Sequence, residues 1–287
     1  MYEQPIILLG SPRSGTKMLR ELLKLHPMVD GPLYEKERVW CYGNWDKMSK
    51  KIEVSDITPG IKNYIRNYFA KEVSRNKGKL IVDKNVANSL RIEFVRSIFP
   101  DSPIIHIVRD GRDAACSIQN RWKSPGDWKY ILKNRAFPID ELPFFIQRQL
   151  KWYSEKVFQR KKHVSWWGPK FNDSAELVAK YSLIEVCGIQ WMRCVRAALE
   201  GLAKIRQDSV IQVRYEDVIS KPISELSKIL HFLGLSCNVE MERKITQYVK
   251  AKSVGRWKSD LTKKELELLL PHIDECLRML GYLINDS

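Results

Sequence analysis

The chain has 287 residues, 44% of them hydrophobic, enough to bury a sizeable core as one α/β domain over residues 1–287. Its 49 lysines and arginines against 34 aspartates and glutamates leave a formal charge of +15, which favours anionic partners. No apolar run has the length of a membrane helix, and six cysteines without C-x-x-C pairs or nearby histidines argue against a metal site or a disulfide frame.

The N-terminus enters a strand at once, with no charged–apolar–small secretory pattern, so a cytoplasmic protein is expected. Ile6-Ile7-Leu8-Leu9 is the short apolar run of a strand buried on both faces. Gly10-Ser11-Pro12-Arg13-Ser14-Gly15 cannot extend it, because Pro12 donates no hydrogen bond and both glycines permit a sharp turn. From Thr16 the apolar positions Met18, Leu19, Leu22, Leu23 and Leu25 have helical spacing. Strand, Gly-bounded loop and helix together point backbone N–H groups at one spot, and Arg13 and Lys17 add fixed positive charge there. Gly10 and Gly15 have the spacing of a nucleotide triphosphatase loop, but Thr16-Lys17 follows where Lys-Ser/Thr would be needed to ligate magnesium.

Turn residues Asp30-Gly31-Pro32 then deliver Tyr34-Glu35-Lys36-Glu37-Arg38-Val39-Trp40. Glu37 fits a solvated charged turn, whereas Glu35 follows the cradle helix by a short return and can come back beside the loop. Residues 57–76 have helical spacing, and Lys79-Leu80-Ile81-Val82 is a second strand with Asp83-Lys84-Asn85 at its carboxyl end. Ligands bind at that end of open parallel sheets, which raises Lys84 above an ordinary surface charge. A helix over 89–98 leads to a third strand, Pro103 to Val108, and then to Arg109-Asp110-Gly111-Arg112-Asp113 and a helix over 114–122. Arg109 and Ser117, eight positions apart, supply the cation and hydroxyl donor a phosphate monoester needs; pairing of Arg109 with Asp113 is the other use of that arginine.

Residues 141–160 form a predicted helix. Val164 to Lys170 is an aromatic loop around Trp166-Trp167 that either stacks on a ligand or plugs the surface. A helix over 182–205 carries a packing stripe. The fourth strand, 209–213, ends in Arg214-Tyr215-Glu216-Asp217. A helix over 223–233, a basic segment from Lys250 to Asp260 and a last amphipathic helix ending near Gly281 complete the chain. Such β–α alternation predicts a central parallel sheet flanked by helices, with the candidate residues at one edge.

Pro12-Arg13-Ser14-Gly15-Thr16 before an amphipathic helix resembles the 5'-phosphosulfate loop of sulfotransferases that use 3'-phosphoadenosine-5'-phosphosulfate (PAPS), and Arg109 with Ser117 resembles their 3'-phosphate motif. The resemblance runs from Ile6 to about Tyr282 and implies their P-loop-like fold, with PAPS as co-substrate and an acceptor bearing a hydroxyl. It further implies that Arg13, Ser14, Gly15, Thr16 and Lys17 hold the 5'-phosphosulfate, and that Lys84 neutralises the transferred group. Arg109 and Ser117 would take the 3'-phosphate, joined by Lys252 and Arg256 from the basic segment, and Tyr215 would lie near the adenine. The acceptor's base is an acidic residue several positions before a Trp, which Glu35, five before Trp40, fits better than Glu37. Neither a metal nor nucleic acid is expected. Lys17-Met18 stands where many cytosolic members have Thr-Trp, and Asp83-Lys84-Asn85 lacks their Lys-x-His motif. Both departures point to the Glu-base branch that includes tyrosylprotein and many bacterial sulfotransferases. The alternatives are a P-loop nucleotide kinase, which needs the missing magnesium hydroxyl, and a non-catalytic polyanion-binding protein.

Overall fold

In the computed structural model, which describes residues 4–47, 51–123, 166–249 and 254–282, the apolar run Ile6–Leu9 is strand β1 and all four of its residues are buried. It lies at the centre of a five-stranded sheet with β2 (Val29–Asp30), β3 (Leu80–Lys84), β4 (Ile104–Val108) and β5 (Val210–Arg214). The order is β2-β3-β1-β4-β5 and every pairing is parallel, with Ile6 beside Val82, Ile7 beside Ile104 and Ile104 beside Val210. From β1 the chain fills the β2–β3 side first and crosses to β4 and β5 afterwards. The crevice at the carboxyl ends of β1 and β4 is therefore the switch point at which open α/β sheets bind ligands.

The described helices are α1 (Thr16–Leu23), α2 (Glu37–Trp40), α3 (Pro59–Arg75), α4 (Ile92–Ile98), α5 (Gly111–Lys123), α6 (Ser174–Lys180) and α7 (Leu183–Leu202). They continue with α8 (Tyr215–Ser220), α9 (Pro222–Phe232), α10 (Val239–Tyr248), α11 (Trp257–Asp260) and α12 (Lys263–Met279). Successive strand residues face opposite ways. Ile6, Leu8, Ile105 and Ile107 meet α1, α9 and α10 on one side, and Ile7, Leu9, Ile81 and Ile104 meet Trp40, Phe69 and Phe94 on the other. Leu19, Leu22 and Leu23 of α1 are fully buried, and each contributes on the order of 1.5–3 kcal/mol. That exceeds the propensity differences among helix formers, so docking on the sheet decides where the cradle's helix lies.

The sheet has one strand more than the sequence suggested. Val29–Asp30 is too short to show a period, and it pairs with Leu80 and Ile81 at the sheet edge. Strand β3 also runs on to Lys84 rather than stopping at Val82. Helix α3 starts later than expected, because Thr58 accepts the Ile61 N–H at 3.2 Å and Pro59 opens the helix. The expected helix over 89–98 is divided into a 3-10 turn at Val86–Leu90, capped by Asn85, and α4. The expected helix over 141–160 lies outside the described residues. Among the described residues no helix is long and apolar enough to cross a membrane.

Candidate active site

Two glycines fix the loop after β1. A Cβ on Gly10 would sit 2.8 Å from the Ile107 carbonyl oxygen, and Gly15 has φ +91° with the Tyr215 ring against it. Arg13 is itself left-handed at φ 65°. Such alternation turns successive N–H groups to one side, the geometry of an anion nest. Beneath it the buried Ser11 and Ser14 hydroxyls hydrogen-bond to each other, and the Ser14 N–H donates to the Ser11 carbonyl at 3.2 Å. Thr16 is buried at the start of α1, and Lys17 is exposed on its first turn.

The second cradle follows β4 and touches the first. Arg109 is buried at the end of β4 and donates from Nη1 to the Arg13 carbonyl at 2.9 Å. Arg13 in turn donates from Nε to the Ser117 hydroxyl on α5 at 3.0 Å. The Arg109 guanidinium lies 4.4 Å from the centre of the Tyr215 ring, so Tyr215, at the start of α8, is held between Gly15 and Arg109. Arg109 also approaches Asp113 at 3.7 Å, so the pairing weighed against phosphate binding is present alongside its contact with the loop. Arg13 reaches solvent, yet the protein packed around its stem partly desolvates it and the charges of Arg109 and Arg121 face it, so its pKa lies below the ordinary arginine value. Arg121 was not singled out from the sequence, although it stands one helical turn beyond Ser117, a spacing that puts both on one face.

The return segment comes back to the cradle because α1 holds it. Arg20 Nη1 donates to the Pro32 carbonyl at 2.8 Å and Lys24 Nζ to the Gly31 carbonyl at 3.0 Å. Glu35 then meets Lys84, the last residue of β3, through a short Nζ–Oε1 hydrogen bond. Glu37 has a different environment from the solvated turn expected of it. Arg91, fully buried, donates to both its oxygens at 3.1 and 2.6 Å, and Asn85 Nδ2 donates at 2.7 Å. Burial pushes the Glu37 carboxyl up, but Arg91 and these donors hold it below the usual range. Asp83 lies behind the pair, accepting from the Trp40 indole at 2.9 Å; burial, with the charges of Glu35 and Glu37 adding to it, raises its pKa to about 7.

Lys252 lies outside the described residues. Arg256 turns its side chain to Asp260 at 2.8 Å, while the backbone on either side of it docks on α5. In the aromatic loop, Trp166 donates to the Pro169 carbonyl at 2.8 Å and meets Trp122 edge-on, and Gln190 of α7 donates to the Trp167 carbonyl at 2.8 Å. These two rings pack against the α5–α7 core.

Compared with known proteins, residues 5–136 and 146–239 match the model of the sulfotransferase family. The chain belongs to the sulfotransferase family. The matched spans of this sulfotransferase include both cradles, Glu35, Lys84 and Tyr215, and they end before Arg256. It is similar to a protein-tyrosine sulfotransferase of Drosophila melanogaster, 28% identical over 131 residues; the match covers 42% of this chain and only 26% of the relative. In fold it is similar to sulfotransferase STF9 from Mycobacterium avium, with a TM-score of 0.58 at 15% identity over 99% of this chain and 78% of the other. Mouse sulfotransferase SULT7A1, solved in complex with PAP, gives 0.51 at 16% identity over 98% of this chain and 90% of the other.

Proposed function

We infer that this sulfotransferase moves a sulfuryl group from PAPS to an acceptor hydroxyl and releases adenosine 3',5'-bisphosphate. The contact between the two cradles carries the inference. Arg13 belongs to the first loop yet hydrogen-bonds Ser117 and Arg109 of the second, so cations for both ends of one doubly anionic nucleotide are adjacent. The donor set suits that ligand. Loop N–H groups of Ser14, Gly15 and Thr16 with Arg13 and Lys17 would hold the 5'-phosphosulfate, Arg109, Ser117 and Arg121 the 3'-phosphate, and Tyr215 would border the adenine. Arg256, on leaving Asp260, and Lys252 would add 3'-phosphate contacts.

Glu35 would take the acceptor's proton as its oxygen attacks sulfur, a role that requires hydrogen-bond reach of the nucleophile. The new O–S bond forms while the bond from sulfur to the bridging oxygen breaks, and the electron pair ends on the 5'-phosphate. Lys84 and Arg13 would offset the charge growing on that oxygen. The hydrogen bond between Lys84 and Glu35 supports this division, since it keeps base and cation side by side at the rim.

Calorimetry and a transfer assay test the inference. Adenosine 3',5'-bisphosphate should bind without added magnesium and ATP far more weakly. Label from sulfur-35 PAPS should appear in one of several acceptor pools: small alcohols, lipids, glycans, and tyrosine-bearing peptides of the kind the Drosophila relative's name suggests. Tighter binding of ATP, with a requirement for magnesium, would overturn it.

A further inference from the structure

Asp113 lies on the first turn of α5 and is 2% exposed, yet both its oxygens are engaged by a distant part of the chain. Oδ1 accepts the Trp257 N–H at 2.9 Å and Oδ2 accepts the Gly255 N–H at 2.8 Å. The same Oδ2 is 3.7 Å from Arg109 Nη2. One carboxylate thus touches the arginine of the second cradle and the backbone of residues 255–257. Around it, the Trp257 ring lies 4.1 Å from the Arg112 guanidinium, which Asp110 grips through both oxygens. Gly255 makes the turn at φ +72°, a conformation other residues resist.

Electrostatics alone disfavours a carboxylate here, because a negative charge beside an anion site repels the anion. The placement makes sense if the carboxylate orients the groups that bind. We propose that Asp113 is a positioning residue for the nucleotide's 3'-phosphate. It aims Arg109 and pins residues 255–257 beside it, so discrimination between nucleotides with and without that phosphate passes through this side chain. The proposal rests on the PAPS reading of the site. It also carries a sign of its own: a bystander anion, once removed, leaves phosphate binding unchanged or stronger, whereas removal of a positioning anion weakens it.

The test is titration calorimetry of adenosine 3',5'-bisphosphate and of AMP, which lacks the 3'-phosphate, against the wild-type chain, Asp113→Asn and Gly255→Ala. Asparagine keeps the size but offers one carbonyl oxygen to two N–H donors. Gly255→Ala disturbs the same contact from an outer turn with no neighbouring atom to clash, so it reports even if the α5 variant does not fold. Loss of a charge-assisted hydrogen bond predicts that the ratio of the two affinities falls about tenfold or more in each folded variant, with AMP binding itself little changed. An unchanged or widened ratio in Gly255→Ala, or in folded Asp113→Asn, overturns the proposal. A wild-type chain that does not distinguish the two nucleotides overturns instead the PAPS reading beneath it.

Discussion

Glu35 and Glu37 stand two positions apart on one short segment and hold different partners. Glu35 is 38% exposed and bonded to Lys84, which itself ends a strand at the rim, whereas Glu37 is clamped by the buried Arg91 and by Asn85. Glu35→Gln should therefore lower turnover about 10²- to 10⁴-fold, the usual worth of a positioned base, with little change in melting temperature. Glu37→Gln should do the reverse in kind: it leaves Arg91 charged in the interior without its counter-ion, a loss of about 3–5 kcal/mol. Thermal denaturation beside steady-state kinetics separates the two, and wild-type turnover in Glu35→Gln would remove that residue as the base. The sequence suggested Glu35 and Lys84 because strand-end position and a short return can be followed along the chain, and because both fit the pattern of the sulfotransferases it resembles. It hid the Glu37–Arg91 clamp, whose halves are 54 residues apart and meet only when α2 lies over the turn before α4.

Strands β3 and β4 each bury one titratable group whose effect on stability runs opposite to the other's. Asp83 rises from the ordinary 3.8 to about 7 through burial, so the folded chain keeps a proton that the unfolded chain has lost. Stability is then lost as pH rises from about 4 through 7. His106, buried in β4 with Nδ1 on the Gln212 amide oxygen at 3.0 Å, falls from 6.5 to about 4, so its contribution is present above 6.5 and lost as pH falls toward 4. Melting curves across pH 4 to 8 should show Asp83→Asn sparing the chain the loss on the alkaline side and His106→Gln the loss on the acid side. Curves that stay parallel to the wild type would disprove the assignment. At this scale the long apolar strands and the striped α7 were legible from periodicity. The two-residue β2 and the six-residue α8 were not, since neither is long enough to express a period and both are held by tertiary contacts.

Across the whole molecule, residues near 280 close back on the turn that carries Arg109. Tyr282 donates to Glu216 Oε2 at 2.8 Å, Glu216 Oε1 accepts the Asp110 N–H at 3.0 Å, and Arg214 reaches the Leu280 carbonyl. Desolvation raises the Glu216 pKa, and its two donors oppose that rise. Tyr282→Phe withdraws one donor from this buried carboxyl, a loss of about 1–3 kcal/mol, which should lower the melting temperature by several degrees; an unchanged melting temperature would show the contact to be inert. The strand order has a consequence for diversification. Under the PAPS proposal the nucleotide is gripped from β1, β4 and β5, while Glu35 and Lys84 are hung from the opposite flank, after β2 and on β3. Lineages sharing this scaffold can therefore vary the β2–β3 flank around a retained Glu35 and Lys84, and with it the acceptors they take, while the grip from β1, β4 and β5 is inherited intact.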